Sequence, residues 1–332
     1  MLAPAAGVTD SITRQIAKKW GADATMSELI SAEGLIRDCG KTNALIEFDQ
    51  SERPFGIQIF GAEADRMAQA AAMASKLEPD FIDLNFGCPV KKVINKNGGS
   101  SLLRNLVELE NIVKRVAQAV DLPVTIKYRS GWDSDSIVAI EVAKIAEDNG
   151  LAAVCLHPRT RMQGFSGQAD WSLIKAVKQA VKIPVIGSGD IDSPQKAKQM
   201  FDETGCDAIM IGRASFGNPW IFKSVKHYLA DGELLPYPTI DIRINTAIEH
   251  LRSSIRKFGP SAGLFRMRGQ LCWYIKGLPG ASALRSKLVL LPTEKEVIDL
   301  LDKFKLDSQN RDYGTEKYSE NSSGCEIRQT GS

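Results

Sequence analysis

Eight short apolar or β-branched runs recur along the chain with amphipathic stretches between them: Leu2–Ala6, Ala24–Leu29, Phe55–Phe60, Phe81–Asn85, Leu122–Tyr128, Ala152–His157, Ile183–Gly187 and Asp207–Ile211. The stretches Asp65–Leu77, Leu106–Val120, Ser136–Asn149, Trp171–Val181 and Pro194–Thr204 repeat their apolar residues at helical spacing. A strand followed by a helix before the next strand pairs in parallel. Eight such units over about 230 residues therefore predict an α/β chain folded as a (β/α)8 TIM barrel. Ser193-Pro194 reads as a helix N-cap and first helical residue, and Gly205 as the glycine that ends that helix. The second unit, Glu33–Asp49, carries the weakest helical pattern. A doubly wound sheet is the alternative, but it normally needs one or two fewer strands.

After Arg213 the pattern becomes purely helical, in Pro219–Ala230, Asp241–Phe258, Leu264–Tyr274, Ala281–Leu290 and Thr293–Phe304. A small all-helical domain is expected there. Two prolines in Gly232–Pro238 forbid helix continuation and set the boundary, giving a barrel over 1–231 and a helical domain over 239–305. Of Leu, Ile, Val and Phe, only Leu306 and Ile327 occur in 306–332, so that segment is expected to be a disordered tail.

Composition excludes some classes. Hydrophobic residues make up 43% of 332, enough for a sizeable core. No window approaches the ~18 uninterrupted apolar residues of a membrane span, and Met1-Leu2-Ala3-Pro4 lacks the regions of a signal peptide, so a cytoplasmic chain without membrane contact is expected. Six cysteines without a CxxC pair indicate neither a disulfide framework nor a metal site. The net charge of +2 hides an asymmetry: between Ile240 and Leu290, nine Lys or Arg face two acids, +7, leaving −5 for the rest. Such a basic segment hints at a polyanion partner.

In a barrel of this kind the chemistry lies at the C-terminal ends of the strands. Gly187-Ser188-Gly189-Asp190 after strand seven and Gly212-Arg213 after strand eight let backbone N–H groups approach a phosphate, although either loop alone could be only a tight turn. Cys88, between Gly87 and Pro89, leaves a strand at the barrel mouth, where a thiol can donate or accept a proton; an inert buried thiol is the bland reading, which suits Cys155 and Cys206 better. Lys127 alternates with helix-facing residues and so points inward, where it needs an anion: a ligand, or a structural partner such as Asp83. His157 ends strand six in the same layer, as a ligand or a satisfied structural histidine. Gln58 alone says nothing.

Taken together, these residues resemble a known family. The segments Leu2-Ala3-Pro4-x-Ala6-Gly7-Val8-Thr9-Asp10, Asn85-Phe86-Gly87-Cys88-Pro89, Lys127-x-Arg129-x-Gly131-Trp132, His157-x-Arg159-Thr160, Gly187-x-Gly189-Asp190-Ile191 and Gly212-Arg213-Ala214, followed by Asn218-Pro219-Trp220-Ile221-Phe222, are similar to those of the tRNA-dihydrouridine synthases, in particular the bacterial B-type, NifR3-like branch. The likeness spans roughly residues 2 to 305.

The resemblance implies a flavoprotein oxidoreductase with bound FMN. It would reduce the C5–C6 double bond of a D-loop uridine during tRNA processing, with NADPH or NADH as reductant. It makes Cys88 the proton donor to C5 and assigns FMN to Pro4, Ala5, Ala6, Gln58, Lys127, His157, Ser188, Gly189, Asp190, Gly212 and Arg213. Asn85 and Lys91 would meet the RNA substrate, as would Arg252, Arg256 and Arg266 of the basic segment. Ser188 stands where the family usually has Asn, and Ala5 where it has Met. No protein partner is indicated, and a monomer is expected.

Other readings of the residues are a flavin oxidoreductase for a free pyrimidine, a barrel kept only as an RNA-binding scaffold, and a phosphate-substrate barrel enzyme without flavin. The first leaves the basic segment unexplained. The second leaves Cys88, Lys127 and the two phosphate loops without a purpose.

Overall fold

The computed structural model describes residues 1–310. Its strands are β1 (Thr25–Met26), β2 (Ile30–Ser31), β3 (Phe55–Phe60), β4 (Phe81–Phe86), β5 (Val124–Arg129), β6 (Ala153–His157), β7 (Val185–Ser188) and β8 (Ala208–Met210), all paired in parallel. The N-terminal segment completes the ring: Leu2 forms a parallel bridge with Ile211, and its N–H donates to the Ala24 carbonyl at 3.0 Å. The result is the expected TIM barrel, with helical residues after it.

The first expected strand shrinks to the bridge at Leu2, because Pro4 has no N–H for a ladder and Ala5 turns its own bonds onto Thr9. The second strand is broken. Thr25 pairs with Phe55 and Ile30 with Ile59, so one extra residue bulges between them, in the stretch that contains Glu28. The weak pattern over Glu33–Asp49 becomes two short helices, Ala32–Ile36 and Gly40–Ile46, with Asp38 at φ 51 between them.

The helix Pro194–Thr204 starts and stops as expected: the Ser193 hydroxyl accepts from the Lys196 N–H at 3.2 Å, and Gly205 adopts φ 66. Strands β3 and β4 are buried almost throughout, as parallel strands covered by helices must be.

A second apolar core gathers Ile244, Leu251, Leu264, Met267, Leu271, Leu284 and Leu301 from four helices: Ile240–Phe258, Pro260–Tyr274, Ala281–Leu288 and Glu294–Asn310. Trp220 belongs to this core while its neighbours Ile221 and Phe222 belong to the barrel's, so that one turn joins the two. The helix Ser11–Lys19 is the other seam. Trp20 at its end meets Trp220 edge-on at 5.8 Å, Lys19 pairs with Glu249 at 2.8 Å, and Thr13 lies 3.4 Å from His250. The helical region is thus anchored beside the first loop of the barrel mouth.

The final helix continues past Leu306 to Asn310, so the expected tail starts too early; the rest of it, 311–332, lies outside the described residues. No helix among the described residues is long and apolar enough to cross a membrane.

Candidate active site

The register of β3, β4 and β5 sets Gln58, Asp83 and Thr125 side by side. The carboxylate of Asp83 can only accept when ionised, and it takes bonds from Thr125 Oγ1 at 2.6 Å and Gln58 Nε2 at 2.7 Å. That fixes the Gln58 amide, whose oxygen then accepts from Asn85 Nδ2 at 2.9 Å. Asn85 is fixed in turn: its Oδ1 holds the N–H groups of Gly87 at 3.1 Å and Cys88 at 2.9 Å. A chain of amides therefore runs from a buried acid to the turn that carries the thiol. Burial raises the Asp83 carboxyl to about 6, against the bonds from Thr125 and Gln58 and the charge of Lys127.

Cys88 is half-buried at the mouth. Burial pushes its thiol up, while the Val90 backbone and the cations Arg129 and Lys127 pull the other way. Behind it, Arg129 is 4% exposed and spends its donors on backbone: Nε on Gly87 O at 3.1 Å, and Nη1 on Thr160 O and Gly164 O at 2.8 Å each. Desolvation lowers it only to about 10, so it stays a cation at neutral pH.

The structural partner considered for Lys127 is not realised. Asp83 is taken by Gln58 and Thr125, and among the described residues no ion pair includes Lys127. His157 also lacks a partner: its Nδ1 is buried and unbonded, and burial, reinforced by Lys127, Arg129, Arg159 and Arg213, drives its pKa well below the ordinary value, so the ring is neutral.

A barrel mouth with a protonated thiol, an unpaired inward lysine and an orphaned imidazole nitrogen can be compared with known proteins. The dihydrouridine synthase (Dus) family model matches residues 1–309. The chain belongs to this family. Among its curated relatives, "tRNA-dihydrouridine synthase B" of Pseudomonas aeruginosa is 41% identical over 287 residues, 86% of each chain. "Probable tRNA-dihydrouridine synthase" of Rickettsia bellii is 38% identical over 313 residues, 94% of this chain and 96% of its own. The fold alone is shared with a histamine dehydrogenase from Rhizobium sp. 4-9, with a TM-score of 0.50 at 15% identity over 78% of this chain; the match spans 46% of that longer chain. As a dihydrouridine synthase family member the chain is an oxidoreductase whose chemistry depends on flavin.

The residues present fit a flavin nucleotide. Lys127, without an ion pair, and the buried, unbonded Nδ1 of His157 are two polar groups of the mouth that the protein leaves without a partner. Gly189, at φ 111, forms a cradle that a side chain would fill, since a Cβ there would lie 3.1 Å from Ala169 Cβ and 3.3 Å from His157 Nε2. Ser188 is buried at the end of β7, and Gly212 lies against Ala3.

Several expected contacts take a different form in this Dus chain. Asp190, at φ 57, does not offer its carboxylate to a phosphate: both oxygens hold Arg159 at 2.8 Å and one accepts from the Ala169 N–H, so only its backbone is left for that purpose. Arg159, merely quoted in the motif, thereby becomes a 2% exposed strut. Arg213 sits 3.8 Å from Asp190 and stacks over Phe165 at 4.5 Å, at the start of a single helical turn, Arg213–Ser215, that follows β8.

Ala5 keeps its N–H on Thr9 Oγ1 at 2.8 Å, and the Gly7 N–H donates to Glu28. Nothing in the sequence singled out Glu28; an acid ending the second strand was the one available signal. Gln58, only 1% exposed, is occupied by Asp83 and Asn85. Lys91 is exposed at the start of the short helix Lys91–Ile94.

The basic residues of the helical region have different neighbours. Arg252 and Arg256 line a groove of about 440 Å³ together with Glu249 and Asp302, and Arg252 lies 3.8 Å from Glu294. Arg266 instead lies over Phe258 at 4.1 Å, and its charge acts on Glu28 at the barrel mouth.

Proposed function

We propose that this protein is an FMN-dependent tRNA-dihydrouridine synthase that reduces the C5–C6 bond of a D-loop uridine with NADPH, and that Cys88 is the proton donor to C5. The observation that carries this reading is the setting of Cys88. Burial keeps the thiol protonated at neutral pH, while Arg129 and Lys127 are placed to stabilise the thiolate left once the proton has gone.

A bound FMN, replenished by NADPH, would supply the hydride that C6 needs. Lys127 and His157, with backbone at Pro4–Ala6, would hold its ring system, while backbone at Ser188–Asp190 and Gly212 with the Arg213 side chain would hold its phosphate. Asn85 presents Cys88 by gripping the turn's N–H groups. The target base must leave its stack to reach the mouth, and Arg266 with Lys91 would steer the RNA backbone toward it. The helical region 239–305 would serve as the RNA-binding domain of a cytoplasmic monomer.

The test is dihydrouridine formed per tRNA by the flavin-loaded enzyme, with free uridine as the competing substrate. Cys88→Ala should keep flavin and tRNA affinity and lose about 10²–10⁴-fold in turnover. Full turnover in Cys88→Ala, or preference for free uridine, would overturn the reading.

A further inference from the structure

Trp132 is a motif residue that the proposed chemistry leaves unused. Three successive loops of the barrel mouth meet at its ring. Arg104 ends the turn Gly99–Arg104 that follows Cys88, Trp132 follows β5, and Arg161 follows β6; each guanidinium carbon lies 4.8 Å from the indole centroid.

Backbone bonds hold the arrangement in place. The Ser100 N–H donates to Cys88 O at 3.2 Å, the Arg161 N–H to Gly131 O at 2.9 Å and the Met162 N–H to Trp132 O at 2.9 Å. The turn that ends at Arg104 is therefore tied to the residue that carries the thiol, and Arg161 is pinned beside the ring.

Two guanidinium groups sharing one ring repel each other, and the face of one indole offsets only part of that repulsion. Among the described residues neither arginine makes an ion pair. Acids are close in the chain but engaged elsewhere: Asp133 Oδ1 accepts from Ser136 Oγ at 2.7 Å and from the Asp135 N–H at 3.1 Å, and Asp135 takes the Ser134 hydroxyl at 3.2 Å. Arg161 Nε is buried without a partner, and its Nη1 meets only the sulfur of Met162, at 3.0 Å. Elsewhere in the mouth, Arg159 has Asp190 and Arg129 has three carbonyls. Among the described residues, no carboxylate neutralises this pair.

We infer that Arg104 and Arg161, held on Trp132, form a clamp for a backbone phosphodiester of the RNA strand next to the base that reaches Cys88. This rests on the tRNA reading proposed above. A phosphodiester suits the site because its two free oxygens can each take a forked pair of donors while it carries the one negative charge that relieves the repulsion.

The test uses the flavin-loaded protein and tRNA, with Kd measured across a salt series for Arg104→Gln, Arg161→Gln and the double variant. The double variant should bind about tenfold or more weakly, and its salt dependence should fall by roughly one unit for each phosphate it no longer neutralises. The Arg104→Lys, Arg161→Lys pair, which keeps the charge, should retain most of that salt dependence.

An unchanged Kd and slope in the double variant would overturn the clamp. A raised KM for NADPH with unchanged tRNA Kd would also overturn it, by moving the pair to the reductant's phosphates. Should Arg161→Gln fail to fold, Arg104→Gln on its exposed side chain carries the test with about half the change in affinity on a logarithmic scale. Wild-type enzyme that makes no dihydrouridine on tRNA would overturn the underlying reading instead, which separates the two failures.

Discussion

Asp83→Asn should stabilise the protein above pH 6. The folded-state carboxyl lies at about 6 against an ordinary 3.8, with burial as the first cause. Between about pH 4 and pH 6 the folded protein still holds a proton that the unfolded chain has released. Stability therefore falls as pH rises through that window, by about 1.4 kcal/mol per unit, and is level above it. Two units amount to about 3 kcal/mol, an upper bound for what removing the charge returns. Asparagine can keep both bonds, its oxygen accepting from Gln58 Nε2 and its amide donating to the Thr125 hydroxyl. At roughly 2–4 °C per kcal/mol, the variant should melt several degrees above wild type at pH 8 and converge with it near pH 4. Melting curves of both proteins at saturating FMN, from pH 4 to pH 8, give the difference directly. A variant that melts lower than wild type at pH 8, or a difference that does not change between pH 4 and pH 6, would refute the claim that burial dominates at Asp83.

Lys127→Met should leave the fold intact while weakening flavin retention or slowing flavin reduction, because an inward cation without an ion pair is available to the reduced flavin's negative edge; stopped-flow reduction by NADPH at the wild-type rate would remove it from that role. Gly189→Ala should cost about 1–3 kcal/mol and release flavin, since φ 111 and the contact with His157 both oppose a Cβ, and denaturant melts with a flavin-release assay would show it. Arg266→Gln should weaken tRNA binding more than Arg252→Gln with Arg256→Gln combined, as read by Kd at fixed salt, because the latter two face Glu249, Glu294 and Asp302.

The barrel is legible in the sequence because parallel strands buried on both faces leave uninterrupted apolar runs, and because Ser193, Pro194 and Gly205 do their capping locally. The bulge before Ile30 and the break at Asp38 leave no such signal, since each answers to a neighbouring element. At the barrel mouth, the places of Cys88, Lys127 and His157 follow from their positions at or near strand ends. The Arg159–Asp190 pair does not, because it joins two loops by side chains whose separation has no period. Asp83 could be read as a counter-ion for Lys127 only until the register placed Thr125 and Gln58 nearer. A charge count over Ile240–Leu290 cannot see that the helix Glu294–Asn310 brings Glu294 and Asp302 alongside Arg252 and Arg256.

Arg129 has a bearing on how a barrel like this can diversify. All its bonds go to main-chain carbonyls, at Gly87, Thr160 and Gly164, so the loop after β6 holds the arginine by its backbone path, with the Phe165 ring alongside the guanidinium at 5.5 Å. An inserted or deleted residue would break that path: shifting the Thr160 and Gly164 carbonyls would strand a buried cation and loosen the Cys88 turn tied to the same side chain. The loop is therefore strict in length, and Gly164 and Gly167, at φ 58 and φ 64, are fixed in kind as well. A loop grafted from another barrel would have to bring its carbonyls to the same two places.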